Sequence, residues 1–401
     1  MRVVIVGGGQ AGASTAATLR QQGHDGEIVL LSNEALAPYE RPPLSKSYLL
    51  KGSEAQVTSV LPGSHWRDTS TSLRLSEQVL GIDPDAKSVL TGTRSISYDQ
   101  LVLATGASPR KLPEHLTKGM EGIFYLRSVS DANRLRPELI EGRSLVLIGG
   151  GYIGMELAAT ASQLGVSVTV VERDARILNR VASLQLSGTV RTWHLENDVD
   201  LLEDKELKEL LGESRVQAVR LSDGTDIPAD LVVVGIGATA NSELAEKAGL
   251  STDNGILVDA HGRTSHANIW AAGDCASFYQ DNRLLRLESV HNAIDQAETV
   301  AQNILGAQKQ YTPLPTFWSD QYEHVIQIAG LYRSDLSCVL RTASGKTCYW
   351  HYLGDRLTAV EVIDDPKTFA IARRLLTDNK SPAPELVGAN DTSLKELLKS
   401  D

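Results

Sequence analysis

The chain contains two glycine-rich turns with the same sequence pattern. Each is preceded by a run of β-branched residues and followed by a helix-like segment. Both have the spacing Gly-x-Gly-x-x-Gly; the glycines are Gly7, Gly9 and Gly12 in the first turn and Gly149, Gly151 and Gly154 in the second. In such a turn the first glycine permits a tight reversal, the second lets a pyrophosphate approach the backbone, and the third allows close helix–strand packing. The phosphates then lie at the positive end of the helix. Two such turns predict two dinucleotide sites.

Strand and helix signals around the two turns indicate a repeated βαβ unit. The segments "RVVIVG" and "RSLVLIG" are continuous runs rich in β-branched residues and ended by glycine, which is typical of buried parallel strands. A helix-like segment and a further strand, "GEIVLLS" or "VSVTVVE", follow each run. From about Thr312 the pattern changes to alternating strands and then to a helix in "TFAIARRLLTD". We therefore predict an α/β fold with two Rossmann-like dinucleotide-binding domains and a C-terminal α+β domain.

Charge, cysteine content and hydropathy limit the possible classes of protein. The net charge of -11 at pH 7 argues against binding to bulk nucleic acid or to an anionic membrane. The odd number of cysteines, three, argues against a disulfide framework and fits a reducing compartment, and Cys338 and Cys348 have no metal-ligand spacing. The apolar runs are too short to span a bilayer, and a strand-like run begins at Arg2, where a signal peptide would otherwise lie. We expect a cytoplasmic protein with no bound metal.

Two dinucleotide sites in one chain suggest a flavin and a nicotinamide cofactor. Glu172 ends the strand after the second turn, where a carboxylate can accept hydrogen bonds from the adenosine ribose and would repel a 2′-phosphate. This favours NADH over NADPH, although Arg173 and Arg176 follow closely. In the first site Asn33 lies where an acid is usual, with Glu34 beside it, and an asparagine can also bind ribose hydroxyls.

Six segments spread along the whole chain carry a family resemblance. They are "PYERPPLSKSYL", "YDQLVLATGASPR", "GGGYIGMELAA", "TSHANIWAAGDCA", "RLESVHNAIDQA" and "FWSDQYEHVIQIAG". In this order they resemble the FAD-dependent NADH:ferredoxin reductases of bacterial aromatic ring-hydroxylating dioxygenases and of some P450 systems. That family is itself similar to the glutathione-reductase fold and to apoptosis-inducing factor. The resemblance implies a discontinuous FAD-binding domain (1–108 and 238–311), an NAD-binding domain (109–237) and a C-terminal domain (312–401).

The resemblance also implies which residues contact the cofactors. Beside the glycines of the first turn, the expected contacts to a tightly bound FAD are Ala11, Asn33, Glu34, Arg41, Lys46, Val79, Ala104, Thr105, Gly106, Arg127, Asp274, Val290 and Trp318. Beside the glycines of the second turn, the expected contacts to NADH or NAD are Tyr152, Ile153, Glu156, Glu172 and Gly237.

Two of these residues are expected to take part in the chemistry. NADH reduces a flavin by hydride transfer, which builds negative charge on the flavin. A fixed ammonium group at Lys46 would stabilise that charge. Glu156 lies two residues after Gly154 and is placed here on the first turn of the helix. We predict that Lys46 and Glu156 form an ion pair that contacts the nicotinamide carboxamide.

The cysteine positions predict where the electrons go. Disulfide reductases of this fold have a Cys-x-x-x-x-Cys pair near the flavin, and their peroxidase relatives have one cysteine there. The corresponding segment "YERPPLSKSYLLKG" has none, and Cys275 is expected to be buried without a redox role. No iron–sulfur motif occurs. An external one-electron acceptor is therefore expected, and the resemblance implies an acidic [2Fe–2S] ferredoxin that feeds a terminal oxygenase.

The sequence also contains candidates for a basic docking patch, and several alternative functions have to be considered. An acidic ferredoxin needs cations at its docking site, for which the candidates are Lys51, Arg67, Arg286 and Arg333. A rubredoxin reductase or a P450-type ferredoxin reductase would have the same motifs. An NADH-responsive binding flavoprotein is less favoured, because no added basic or targeting segment occurs. An NADH oxidase or peroxidase is disfavoured by the missing cysteine.

Overall fold

The computed structural model describes residues 1–52, 56–68, 70–343, 345–389 and 394–398. The contacts between residues separate two compact units. The first unit consists of Met1–Glu40, Val57–Ser108 and Ala238–Pro313, and the second of Arg41–Gln56, Pro109–Gly237 and Leu314–Asp401. No helix in the described ranges is long and apolar enough to cross a bilayer.

The first third of the chain alternates short strands and helices. Its elements are β1 (Val3–Val6), α1 (Gln10–Gln21), β2 (Ile28–Leu31), a 3₁₀ turn (Pro42–Ser45), α2 (Ser47–Leu50), α3 (Gly63–Asp68), β3 (Thr71–Arg74), β4 (Val79–Asp83), β5 (Ser88–Thr91), β6 (Ser95–Ser97), β7 (Gln100–Leu103) and β8 (Ala107–Pro109).

The middle of the chain repeats this pattern and then returns to the first unit. Its elements are α4 (Glu114–Thr117), β9 (Ile123–Phe124), α5 (Val129–Leu135), a 3₁₀ turn (Arg136–Glu138), β10 (Ser144–Ile148), α6 (Tyr152–Gln163), β11 (Ser167–Val171), α7 (Leu184–Glu196), β12 (Asp200–Leu202), β13 (Leu207–Gly212), β14 (Val216–Leu221), β15 (Asp226–Pro228), β16 (Leu231–Val234), β17 (Ala238–Ala240), α8 (Glu243–Lys247), β18 (Ile256–Leu257), β19 (Ile269–Ala271), β20 (Ala276–Gln280), β21 (Arg283–Leu285) and α9 (Val290–Ile304).

The last part of the chain is a strand meander followed by helices. Its elements are β22 (Thr316–Gln321), β23 (His324–Gly330), β24 (Ser337–Ala343), β25 (Lys346–Leu353), β26 (Arg356–Ile363), α10 (Pro366–Thr377), α11 (Pro384–Gly388) and α12 (Leu394–Leu397).

A parallel sheet in the order β19-β7-β1-β2-β3 is the centre of the first unit. Strands β1 and β2 are apolar and buried throughout, because both faces of the sheet are covered there. On one face Val3 and Ile5 pack with Leu19 of α1 and Val300 of α9. On the other face the alternate residues of β1 pack with apolar residues of the small antiparallel sheet β4-β5-β6, including Val79. The predicted first βαβ unit is confirmed.

The second unit contains the repeat of that arrangement. Its parallel sheet has the order β12-β11-β10-β16-β9, with β10 between β11 and β16 just as β1 lies between β2 and β7. An antiparallel sheet, β13-β14-β15, contributes to the same core through Leu210, Val219 and Leu221. The second βαβ unit is therefore also confirmed.

The predicted C-terminal meander forms a five-stranded antiparallel sheet in the order β22-β23-β26-β25-β24. Trp350 and Val360 pack with Leu375 of α10, whose first turn is capped by Asp365 and begins with Pro366. The predicted fold class is confirmed, whereas the division into three domains stays a prediction. By their contacts, Pro109–Gly237 and Leu314–Asp401 form one unit, and this unit also includes Arg41–Gln56.

Candidate active site

The first glycine turn has the geometry that a pyrophosphate site requires. Gly7 has φ +126° and lies so close to the carbonyl oxygen of Ala104, after β7, that a Cβ atom would collide with it. A Cβ at Gly12 would collide with the carbonyl of Gly7. A Cβ at Gly9, in contrast, meets no described protein atom within 4 Å. Gly9 also begins α1 without a side-chain cap, so the first amides of the helix are available to an anion.

The second glycine turn has the same geometry in the second unit. Gly149 has φ +109°, and its Cβ would lie 2.5 Å from the carbonyl oxygen of Gly235, after β16. Gly154 is pressed against the carbonyl of Gly149, and Gly151 faces open space at the uncapped start of α6. Both turns therefore fit a dinucleotide, because only their middle glycine borders space that phosphates could fill.

Substitution of the middle glycines separates the two sites. Gly9→Ala and Gly151→Ala are both expected to fold, because neither new methyl group meets the protein. Gly9→Ala should lose FAD on gel filtration. Gly151→Ala should keep FAD but bind NADH at least about tenfold more weakly, since a methyl in the path of the phosphates costs about 1–3 kcal/mol. Cofactor content by absorbance and NADH affinity by titration are the measurements.

Gly188 of α7 is the matched control, since a Cβ there also meets nothing within 4 Å and the residue belongs to neither glycine turn. Gly188→Ala should change neither FAD content nor NADH affinity. If Gly9→Ala retained FAD and lost NADH affinity instead, the assignment of the two turns would have to be reversed.

Glu172 ties the end of β11 to the second turn. Its carboxylate accepts hydrogen bonds from the backbone N–H of Gly150 at 2.6 Å and from that of Asp174 at 2.7 Å. A carboxylate is thus fixed beside the glycine turn, at the place from which it could also accept ribose hydroxyls. Its role as a ribose ligand stays a prediction.

The register of the two sheets corrects the equivalence that the sequence suggested for Asn33. Val6 pairs with Leu31 as Ile148 pairs with Val171, so Ser32, not Asn33, is equivalent to Glu172. The hydroxyl of Ser32 borders Gly8, just as Glu172 borders Gly150. Asn33 lies one residue further on and is exposed. The adjacent Glu34 accepts a hydrogen bond from the Tyr39 hydroxyl at 2.5 Å.

The loop after β7 is held beside the first turn by a residue that the sequence did not single out. Asn241 accepts the Thr105 hydroxyl at its carbonyl oxygen (2.7 Å), donates its side-chain amide to the carbonyl of Thr105 (2.8 Å) and donates its N–H to Gly106 (3.0 Å). Ala104, just before this loop, is buried and donates its N–H to Val6. The similarity of "ATGASP" and "GIGATAN", two small-residue turns that each follow an apolar strand, could have indicated that Asn241 is important.

The Asp274 loop also lies beside the first turn. Gly273 has φ +82°, and a Cβ there would lie 2.9 Å from the Cβ of Ala11. The Gly273 N–H donates to the side chain of Gln296 at 2.9 Å, and Asp274 follows as a half-buried residue. Val290 begins α9, which Ser289 caps. The first unit therefore brings the glycine turn, Ala104 and the Asp274 loop together.

Val79 and Cys275 have structural contacts in the first unit. Val79 is buried in the core between the central sheet and β4-β5-β6. Cys275 is fully buried, its Sγ lies 3.4 Å from the carbonyl oxygen of Leu103, and burial raises its pKa. The expectation that Cys275 is buried is confirmed, while the role of Val79 as a flavin contact stays a prediction.

The predicted ion pair is present in the second unit. Lys46 Nζ lies 3.1 Å from Glu156 Oε1 and 2.9 Å from Asp320 Oδ2. The Glu156 carboxylate also accepts the hydroxyls of Ser45 and Ser319, each at 2.7 Å. The side chains of Lys46 and Glu156 are only 15% and 6% exposed. The two charges therefore interact in a medium of low dielectric constant, and the additional hydrogen bonds fix the geometry of the pair.

Burial raises the pKa of Glu156, while Lys46 and the hydroxyls of Ser319 and Ser45 lower it. One expectation about this residue was wrong. Glu156 is not on the first turn of α6, because the helix begins at Tyr152 and Glu156 is its fifth residue. Its contacts, rather than the helix dipole, therefore stabilise its charge.

Three further predicted flavin contacts, Arg41, Arg127 and Trp318, also belong to the second unit. Arg41 Nη1 donates to the carbonyl oxygen of Arg127 at 3.0 Å. Trp318 is half-buried on β22, directly before Ser319. Arg41, Lys46, Arg127 and Trp318 thus belong to the second unit, while the other expected flavin contacts belong to the first.

Three predicted nicotinamide-site residues differ in their surroundings. Tyr152 packs on Phe317 with ring centroids 4.6 Å apart, and its buried hydroxyl has no hydrogen-bond partner among the described residues. Ile153 is exposed. Gly237 has φ +102°, and its carbonyl oxygen accepts the N–H of Arg110 at 2.9 Å. Tyr152 and Ile153 therefore point to different environments although they are neighbours on α6.

Comparison with known proteins agrees with this geometry. Residues 1–297 match the family model described as pyridine nucleotide-disulphide oxidoreductase, and residues 316–398 match the reductase C-terminal model. Rhodocoxin reductase of Rhodococcus erythropolis is 40% identical over 98% of this chain and 94% of its own length. Putidaredoxin reductase CamA of Pseudomonas putida is 37% identical over 99% of this chain and 96% of its own length.

A solved structure gives the same result in three dimensions. The covalent complex of putidaredoxin reductase with putidaredoxin contains a chain that matches with a TM-score of 0.95 and 36% identity, over 99% of this chain and 98% of that chain. The resemblance stated from the sequence is therefore confirmed. The chain belongs to the pyridine nucleotide-disulphide oxidoreductase family, in which it is an FAD- and NAD(H)-dependent reductase of the ferredoxin-reductase type.

Proposed function

We propose that this chain takes electrons from NADH and delivers them singly, through FAD, to a small [2Fe–2S] ferredoxin that serves an oxygenase of aromatic rings. One observation carries the proposal. The helix α6, which begins at the second glycine turn, also presents Glu156, and Glu156 holds Lys46 in a buried ion pair. The element that would bind the phosphates of NADH thus also positions the charged pair for its reaction.

The residues of the chain supply binding and electrostatics for this reaction. FAD, when bound, accepts two electrons from NADH and can release them one at a time. The first turn and the Asp274 loop would hold FAD, and the second turn with Glu172 would hold NADH. Lys46 places a positive charge at a fixed site, and Glu156 provides a fixed acceptor for the nicotinamide amide. Because both are largely buried, water competes little with these contacts.

The state of the cysteines supports an acceptor outside the chain. Cys275, Cys338 and Cys348 are all free. Burial raises the pKa of Cys275, and it raises the pKa values of Cys338 and Cys348 to about 11. At neutral pH all three are therefore thiols rather than thiolates, and thiols are poor nucleophiles. This supports a reductase without a protein disulfide, working in a reducing cytoplasm.

The proposed docking cations have to be revised. Arg286 is only 9% exposed, forms an ion pair with Glu288 at 2.5 Å and donates to the carbonyl of Asp274. It is therefore a support of the Asp274 loop and no longer a docking candidate. Arg333 is paired with Asp335. Lys51 and Arg67 are exposed and remain candidates for contact with an acidic ferredoxin.

A comparison of acceptors tests the proposal. The purified yellow holoenzyme is supplied with NADH and with a [2Fe–2S] ferredoxin, a rubredoxin or oxygen. We expect the ferredoxin to be reduced at least about tenfold faster than the others, with a rate that falls as salt screens the docking charges. An equal or faster rate with rubredoxin would identify that acceptor instead. Slow turnover with all three would favour an NADH-responsive binding protein.

A further inference from the structure

A line of buried polar side chains leads from Glu156 through the second unit. The Ser319 hydroxyl donates to Glu156 at 2.7 Å, and the Gln321 Nε2 donates to Ser319 Oγ at 3.0 Å. Gln321 Oε1 lies 3.0 Å from His194 Nε2, and His194 Nδ1 lies 3.1 Å from the Tyr322 hydroxyl. Ser319, Gln321 and His194 are fully buried. We call Glu156, Ser319, Gln321, His194 and Tyr322 the polar row.

Four residues of the polar row come from three elements, and Tyr322 directly follows one of them, β22. Ser319 and Gln321 are two positions apart on β22, so their side chains point to the same face of the strand. Glu156 comes from α6 and His194 from the last turn of α7. The edge strand therefore connects two helices of the nucleotide-binding segment through side chains that would be costly to bury without partners.

The hydrogen bonds of the polar row all run in one direction. Because the Gln321 amide group donates to Ser319, its carbonyl oxygen faces His194 and must accept from the Nε2–H group of that ring. The Nδ1 atom of His194 is then free to accept the Tyr322 hydroxyl. Ser319, which accepts from Gln321, gives its own hydrogen to Glu156. Every donor thus points toward the carboxylate.

His194 has the protonation state that this direction needs. Burial lowers its pKa to about 4, against a smaller opposite effect of Gln321, so the ring is neutral near pH 7. A neutral imidazole has one donor and one acceptor, and with Nδ1 accepting the Tyr322 hydroxyl the donor is Nε2. The Nε2–H group therefore holds the oxygen of the Gln321 amide toward the ring.

We propose that His194, acting through Gln321, fixes the Ser319 hydroxyl as a donor to Glu156 and so keeps Glu156 a carboxylate facing Lys46. His194 is a positioning residue, since it touches neither Glu156 nor Lys46. An effect of this arrangement on the reaction with NADH rests on the proposed function. The hydrogen bonds themselves and the charge of Glu156 do not depend on it.

Loss of the His194 donor would change the hydrogen bonds of Glu156. With no donor from Nε2, the Gln321 amide can turn its oxygen to Ser319, whose hydroxyl then donates to Gln321 instead of Glu156. The charged and titratable groups that face Glu156 are Lys46 directly, Asp320 behind Lys46, and Tyr152 on its own helix. Since the Ser319 bond lowers the pKa of Glu156, its loss raises the pH at which Glu156 gains a proton.

The first test measures the protonation state of His194 in the original chain and uses a variant only to assign its signal. The full holoenzyme is labelled with ¹⁵N-histidine, and His194 is assigned as the signal absent from His194→Gln. We expect a neutral ring with its proton on Nε2 from about pH 5.5 to about pH 8. A proton on Nδ1, or a protonated ring at neutral pH, would overturn the proposal.

The second test follows Glu156 by infrared pH titration of the holoenzyme, with the carboxyl band assigned by its absence in Glu156→Gln. Ser319→Ala should raise the titration midpoint by on the order of 1 pH unit, because a hydrogen bond to a charged group is removed. His194→Asn should shift it in the same direction, because its short amide cannot reach the place of Nε2. His194→Gln, whose amide nitrogen replaces Nε2–H, should restore the midpoint of the original chain.

A further variant keeps this test independent of the folding of any one protein. Gln321→Met removes the amide between His194 and Ser319 and should also raise the midpoint. Midpoints that stay unchanged in Gln321→Met and His194→Asn, or that shift equally in His194→Gln and His194→Asn, would overturn the proposal. No ferredoxin takes part in the titration. A shifted midpoint in a chain that reduces no ferredoxin would therefore support the polar row and contradict only the proposed function.

Discussion

Lys46→Ala is expected to slow the reduction of bound FAD by NADH at least about a hundredfold, since removal of one fixed electrostatic group of an active site typically costs this much. The substitution has two effects. It removes the positive charge, and it leaves Glu156 buried with only the hydroxyls of Ser45 and Ser319. Because Lys46 lowers the pKa of Glu156, Glu156 in the variant would gain its proton at a higher pH than in the original chain. Stopped-flow absorbance at saturating NADH measures the rate.

The exposed Lys51, in the same segment, provides the matched control. Lys51→Ala should leave flavin reduction unchanged even if it weakens ferredoxin docking. An unchanged rate in Lys46→Ala would remove Lys46 from the mechanism, and the ion pair would then be a structural contact of the second unit only.

Glu361→Ala should lower the free energy of unfolding by about 3 kcal/mol or more. Glu361 is fully buried on β26 and accepts the N–H of Ser183 at 2.8 Å, the Ser183 hydroxyl at 2.5 Å and His351 Nε2 at 2.9 Å. Alanine leaves all three donors buried without this acceptor, and each such group costs about 1–3 kcal/mol. Scanning calorimetry of the holoenzyme should show the loss as a lower unfolding temperature.

Two substitutions calibrate this result. Glu361→Gln keeps one acceptor oxygen for Ser183 and should be clearly less destabilising than alanine. Glu323→Ala, at a side chain that is 79% exposed, should change the stability by no more than about 0.5 kcal/mol. Equal unfolding temperatures for Glu361→Ala and Glu323→Ala would mean that the buried contacts of Glu361 contribute no net stability.

Local patterns in the sequence predicted the parts of the site that depend on local geometry. The spacing of the glycines requires a strand before each turn and a helix after it, and both are present. The pairing of Lys46 with Glu156 was expected from the family resemblance, and the two side chains are in contact. In these cases a short motif contains most of the physical information.

Other features depend on contacts between distant segments and could not be predicted. Ser319 and His194 join the surroundings of Glu156 only because β22 runs past α6 and α7. The sequence analysis placed the equivalent of Glu172 one residue too late, at Asn33. Strand register decides this equivalence, and the sequence alone does not give the register. The burial of Arg286 beneath the Asp274 loop is likewise a property of tertiary packing.

The contact between Arg110 and Gly237 has a consequence for protein engineering. The backbone enters and leaves the stretch 109–237 at one place, where the two residues are hydrogen-bonded at 2.9 Å. A chimera could therefore receive this stretch from a relative through only two splice points. Glu156 would travel with the transplant, while Lys46 and Ser319 would stay with the host. Donor and recipient must consequently agree at these positions for the graft to work.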